Sequence, residues 1–466
     1  MRLAALTPTH RDAALRALLP MLLAAAAMPP VLAQTPAPAP AAAPASVAAG
    51  PALTLIRAPR VLLDAADGRI GPATLVIEGG RIRTVLPGAD AALDAVDAPR
   101  VADTRRFDDS VVLMPGLIDS HVHLTGNPAR PFWDPTVTTP ERATVTGVRN
   151  ALRTVRAGFT TVRDLGAQGG SAYALRDAIA AGDVPGPRIL SAGRMVSIIG
   201  GHGDLSGFRP EVTNALDGGN TCTGAEECAA VVRRLSRAGA DVIKFAATGG
   251  VLSQQNRGLD KHFTDEEMRA IVSTAHQLEL KVAAHAHGPR GVEAAARAGV
   301  DSIEHGTFID EAGIRAMKAS GSTLVPTLSP TIAYRENLPR GLYTDIVAAK
   351  IKVRLEATGK NIAAARRAGL TIAFGTDAGV SEHGRNAEEM PLMVEYGGMS
   401  AQDVVISATR SAAELLGLEN DIGQLAPGFS ADVIAVRGNP LEDLGALQRG
   451  NIAFVMARGR VVDLED

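Results

Sequence analysis

Four short stretches carry side chains able to hold a divalent cation. DSHVHL (119–124) presents His121 and His123, and AAHAHG (283–288) presents His285 and His287. IEHGT (303–307) presents His305, and FGTDAG (374–379) presents Asp377. Imidazole nitrogens and carboxylate oxygens are the ligands that zinc and similar ions take. Two histidines separated by one residue on a strand point to the same face. A fifth stretch, VIKFAAT (242–248), is an apolar run with Lys244 in its middle. A buried ammonium is costly unless it is paired, neutralised or chemically altered. One reading pairs Lys244 with Asp377 or a carboxylate such as Glu304. The other makes it a neutral amine that takes up carbon dioxide, giving a carbamate whose two oxygens bridge two cations. A cation beside two metal ions is repelled, which favours the carbamate (N6-carboxylysine).

The elements that must position these groups follow from periodicity. Apolar runs recur at 111–124, 160–166, 188–194, 242–248, 281–287, 302–306, 323–328 and 371–378. Amphipathic stretches lie between them, such as TDEEMRAIVSTAHQLEL, which opens with a capping pattern at Thr264. Eight strand and helix candidates in alternation predict an α/β fold, a (β/α)8 TIM-like barrel. His121 and His123 then end the first strand, Lys244 lies near the end of the fourth, and His285 and His287 end the fifth. His305 ends the sixth strand and Asp377 the eighth. Barrel active sites lie at that end, so these groups converge on one mouth. TLVIEGGRIRTVL (74–86) reads as a hairpin about Gly79 and Gly80, and ADVIAVRGNP and IAFVMARGRVVDL read as strands. The two chain ends are expected to form one small β-sandwich domain, 53–112 with 420–466, beside a barrel spanning 113–419.

Composition removes other classes. The chain has 466 residues and a formal net charge of -3, with aromatics only 3%. A nucleic-acid binder should carry a basic surplus or stacking platforms, so that role is excluded. Arg2, Arg11 and Arg16 precede a short apolar run (17–28), with Val31 and Ala33 ahead of Gln34. This is the pattern of a secretory signal peptide (1–33), followed by a Pro/Ala linker (34–52). It predicts a secreted or periplasmic enzyme, free of the membrane after cleavage and self-associating as a homo-oligomer. Cys222 and Cys228 form a close pair, read as a small disulfide, with two free thiols as the alternative.

PGLIDSHVHL, VIKF, AHAHG, IEHGT and FGTDAG together resemble the amidohydrolase superfamily, and IEGGRI, LAPGFSADVIAV and ARGRVV resemble its small β domain. The likeness covers about residues 53–466. It is nearest the imidazolonepropionase-related branch, with binuclear prolidases and Xaa-Arg/Xaa-Lys dipeptidases and carboxypeptidases; Lys244 speaks against imidazolonepropionase itself. The resemblance implies that His121, His123 and Asp377 hold one metal ion, that His285 and His305 hold the second, that both are Zn²⁺, and that carboxylated Lys244 bridges. Two such cations lower the pKa of a shared water, whose hydroxide attacks an amide carbonyl. Asp377 takes the proton and passes it to the leaving amine. His287 is expected to donate to the developing oxyanion; His202, in GGHGD, does the same, holds substrate, or is only structural. The expected small-molecule substrate is a dipeptide or N-acyl amino acid, its carboxylate met by Arg257 or by Tyr334 with Arg335. Alternatives are a non-peptide amide or lactone, such as an amide mycotoxin, and a non-catalytic binding protein on the same barrel.

Overall fold

The computed structural model describes residues 50–465 except 95, 96, 129 and 130. The signal peptide and residues 34–49 of the linker lie outside them. Among the described residues, no helix is long and apolar enough to cross a membrane.

Both chain ends build one eight-stranded sheet. Its order runs Arg460–Val461, Ile452–Ala457, Val433–Arg437, Val111–Pro115, Leu53–Leu62, Ile70–Glu78, Arg81–Pro87, with Val101–Arg106 also paired to Leu53–Leu62. Gly79 (φ 56°) and Gly80 (φ 81°) make the two-residue turn between Glu78 and Arg81. A turn that needs positive φ at both positions excludes most other residues. The neighbours Leu55 and Ile56 enter different apolar clusters, so both faces of this sheet are buried, as in a folded-over β-sandwich.

The run 111–124, expected as one strand, is two. Val111–Pro115 pairs antiparallel with Val433–Arg437 in the eight-stranded sheet, and Leu117–Val122 begins the barrel. Gly116 separates them because a Cβ there would lie 2.1 Å from Thr160 Oγ1. The barrel continues in parallel register through Phe159–Asp164 and Arg188–Ser191, then Val242–Ala246, Lys281–Ala286, Ser302–His305 and Thr323–Val325. Val196 joins the two sets, its N–H donating to Lys244 O (2.8 Å) and its carbonyl accepting from Ala246 (2.9 Å).

The expected eighth strand is no regular strand. Segment 371–378 closes the barrel through isolated bridges, Leu324 to Ile372 and Val122 to Ala378. Its middle cannot pleat normally: a Cβ at Gly375 would lie 2.4 Å from Val325 and 3.1 Å from the His121 Cβ. Helices follow the strands, and Asp265–Gln277 carries the capping box at Thr264 and Glu267. Cys222 and Cys228 form a disulfide.

Phe159, opening the second barrel strand, is fully buried and stacks on Phe374 with ring centroids 5.4 Å apart. Phe159→Ala should cost about 3–5 kcal/mol, read as a lower denaturant midpoint for the metal-loaded protein. A shift below about 1 kcal/mol would show that this ring does not belong to the closed core.

Candidate metal centre

The strand ends bring five of the expected ligands, and His287 with them, into two groups of three. His121, His123 and Asp377 form one, and His285, His287 and His305 the other; within each, one ligand atom per residue lies within 4.8 Å of the rest. Asp377 Oδ1 is 3.2 Å from His123 Nε2 and 3.5 Å from His121 Nε2. The groups adjoin: the rings of His121 and His305 have centroids 5.1 Å apart.

Most rings are held from behind. His121 Nδ1 is 2.8 Å from Glu304 Oε2, and His123 Nδ1 is 2.9 Å from Gly166 O. His305 Nδ1 is 2.6 Å from Thr327 Oγ1, and His287 Nδ1 is 2.8 Å from Thr307 Oγ1. Each contact occupies the outer nitrogen and leaves Nε2 for the mouth, the arrangement that orients metal-ligating histidines. His285 differs, with Nε2 3.3 Å from Gly249 O. His287 stands as close to its neighbours as a ligand would.

Charge is the second constraint. Burial holds the pKa values of His285, His287 and His305 well below the ordinary value, so these rings are neutral with lone pairs free. Burial also brings His121 down to about 4. Burial pushes Asp377 upward, but His121 and His123 outweigh it and hold the carboxyl at about 2. Lys244 Nζ is buried and has no hydrogen-bond partner, so the expected alternative of a lysine paired with Asp377 or Glu304 is absent. Burial lowers its pKa to about 8. Its charge is felt by members of both groups, including His121, His285, His305 and Asp377. Against the lowering effect of burial, Asp377 raises His123, while the other rings stay neutral; a desolvated amine beside these imidazoles and one carboxylate fits a site for two divalent cations.

Glu304 is engaged elsewhere. Its Oε1 accepts from Arg163 Nη2 (2.8 Å) and from Ser302 Oγ (2.5 Å), while Oε2 meets His121. Arg163 is itself buried, and its Nε donates to Ser120 O (2.6 Å). Asp119 ties the first strand to the closing segment, accepting from Thr376 Oγ1 (2.6 Å) and Asn386 Nδ2 (2.8 Å). Burial raises Asp119 to about 6. The sequence reading assigned neither Arg163 nor Asp119, although each is a charged residue inside an apolar run. His305 (φ 73°), Thr327 (φ 45°) and Asp377 (φ 58°) adopt left-handed backbone at the strand ends. Such strain in non-glycine residues collects at functional sites.

His202 reaches the mouth. Its ring centroid lies 4.2 Å from that of His285, and its Nδ1 lies 2.8 Å from Ser253 Oγ. Tyr334 is buried among Val251, Val347 and Ile351. Arg257 remains exposed.

A parallel barrel with clustered histidines and an aspartate at its strand ends defines a metal-dependent hydrolase class. Residues 112–462 match the amidohydrolase family, and the chain belongs to it. It is similar to ochratoxinase of Aspergillus niger, 34% identical over 353 residues and covering 72% of each chain. The structure resembles that of a Xaa-Pro dipeptidase with bound methionine in the active site, at 35% identity and TM-score 0.81, covering 88% of this chain and 99% of that one. A prolidase complexed with N-methylphosphonate-L-proline matches at 29% identity and TM-score 0.78, over 88% and 99%. The chain is accordingly a hydrolase acting on C–N bonds.

Glu304→Gln would remove the anion that matches Arg163 and orients His121. It should lower metal affinity by about 10- to 100-fold, measured by chelator competition. Unchanged affinity would separate Glu304 from the metal centre.

Proposed function

We propose that the protein is a binuclear metalloenzyme that cleaves the amide bond of dipeptides or N-acyl amino acids bearing a free carboxylate, in the manner of a prolidase or Xaa-Arg/Lys dipeptidase. The observation that carries this is the buried Lys244 amine, unpartnered between two groups of ligand side chains. As a carbamate it would supply the bridging anion that neutral histidines and one aspartate lack. His121, His123 and Asp377 would hold one cation and His285 with His305 the other, both proposed as Zn²⁺.

When bound, the cations supply an acidified water and polarise the scissile carbonyl. The residues do the rest. Asp377 is ionised and faces the histidine pair, which suits it to accept the proton of the attacking water and return it to the leaving amine. His287, neutral, would accept the Thr307 hydroxyl proton at Nδ1 and carry its own proton on Nε2, from which it donates to the developing oxyanion. His202, fixed by Ser253, borders the same space and contacts substrate. The similarity to the Xaa-Pro dipeptidase and the prolidase supports peptide substrates. The similarity to ochratoxinase favours a second reading, a non-peptide amide toxin. All six ligand positions are present, which argues against a barrel kept only for binding. The signal-peptide pattern and the Cys222–Cys228 disulfide support a secreted or periplasmic location.

A library of dipeptides, N-acyl amino acids and amides that contain no amino acid, presented to zinc-loaded enzyme, tests the substrate class. Turnover of the peptide-like members and loss of it with chelator are expected; turnover of the non-peptide amides alone would select the second reading. Lys244→Ala should be metal-poor and inactive, with partial recovery in acetate or propionate. A bare Lys244 amine in a map from protein prepared with bicarbonate and metal would eliminate the bridge. His287→Asn should keep two metals per chain yet lose roughly 10²-fold in turnover. If metal disappears instead, His287 is a ligand.

A further inference from the structure

Arg354 is a buried cation without an anion. It lies on the helix Asp345–Ala357 and is only 3% exposed. Its Nη1 donates to Thr331 Oγ1 (2.7 Å) and its Nη2 to the Thr327 carbonyl (2.9 Å). Both partners are neutral, and among the described residues no carboxylate lies within ion-pair distance of it. A guanidinium carries five N–H donors in a fixed fork, so this one retains capacity.

The other buried cations around the mouth are committed. Arg163 is matched by Glu304 at 2.8 Å. Lys350 spends its ammonium on the carbonyls of Gly250 (2.9 Å), Ser253 (2.6 Å) and Gln255 (3.2 Å). Nor can the carboxylates near Arg354 serve it. Glu389 caps the N–H groups of Leu328 and Ser329 (2.7 and 2.6 Å), and Asp377 faces the histidines.

Position supplies the second argument. The Thr327 carbonyl accepts from Arg354 and its hydroxyl oxygen, which donates to Pro326 O, accepts from His305 Nδ1, so the guanidinium is one residue removed from a ring of the metal centre. Its Cζ lies 5.5 Å from the centre of the Tyr334 ring, and its charge reaches His287. A planar fork beside a phenol and close to the reacting centre is the best protein partner for a carboxylate.

We propose that Arg354, flanked by Tyr334, seats the free carboxylate of the substrate's leaving amino acid. The role first given to Arg257 passes to Arg354, because Arg257 is exposed and a solvated cation discriminates weakly. This assignment rests on the peptide-like reading of function and names what selects such substrates.

The test compares the best dipeptide or N-acyl amino acid with its C-terminal carboxamide, following release of the same acyl product. The wild-type enzyme should prefer the free acid by roughly 10- to 100-fold in kcat/KM, the worth of a charge-assisted hydrogen bond. Arg354→Met should erase most of that preference, mainly through KM for the acid, and Arg354→Lys should keep part of it. Equal losses for acid and carboxamide would make Arg354 a support for Thr327 and His305 alone and overturn the assignment. Should Arg354→Met fail to fold, product inhibition of wild-type enzyme decides: the free amino acid should inhibit well below the concentration its amide requires, and equal inhibition overturns the carboxylate seat. A wild-type enzyme that cleaves acid and carboxamide alike removes the seat but leaves the peptide-like reading standing; cleavage of neither removes both.

Discussion

Imidazole rings crowd the barrel mouth with centroids as little as 4.2 Å apart, in a region that water scarcely reaches. Protonating several of them there would place like charges side by side in a low dielectric, so desolvation keeps the inner rings neutral. Their lone pairs then have no proton to share, and a divalent cation is the natural complement. The surrounding architecture serves that condition. Arg163 and Glu304 neutralise each other directly behind His121, so the one carboxylate oxygen left to the ring is charged yet adds no net charge to the mouth. Asp119 locks the strand that presents His121 to the segment that presents Asp377.

Lys244 fits the same logic from the other side. Burial has already carried its amine part of the way toward neutrality. A group in that condition is a nucleophile waiting for an electrophile small enough to enter a closed strand end, which carbon dioxide is. Arg354 presents the contrast, since a guanidinium does not surrender its proton in a protein. Where a lysine can change its charge to suit a dry site, an arginine must be answered by an anion from elsewhere.

Much of this was legible in the sequence because the signals are local. Alternation on a strand decides that His121 and His123 share a face, and the end of an apolar run decides which end of the barrel they occupy. Thr264 and Glu267 announce a helix start within four residues. What escaped notice depends on distance along the chain. The bond from Arg163 to Glu304 spans 141 residues, and nothing near either residue encodes the other. Arg354 is equally hidden, because a charged residue on a helix reads as solvated until the fold covers it. The division of the first run had a local sign, Pro115-Gly116, overridden by the continuous hydrophobicity around it. The closing segment 371–378 reads as a strand in composition, yet Gly375 and the left-handed Asp377 break its ladder.

The placement of Val111–Pro115 carries a consequence for how the molecule is made. That strand lies between Leu53–Leu62, already synthesised, and Val433–Arg437, which is made only after the whole barrel. While the whole barrel is being translated, one edge of an apolar strand stays open, a template for pairing with other chains. The barrel is thus an insertion inside a sheet that only strands following it can seal. A nascent chain must be shielded over that interval, and a chain ended early would keep the exposed edge for good.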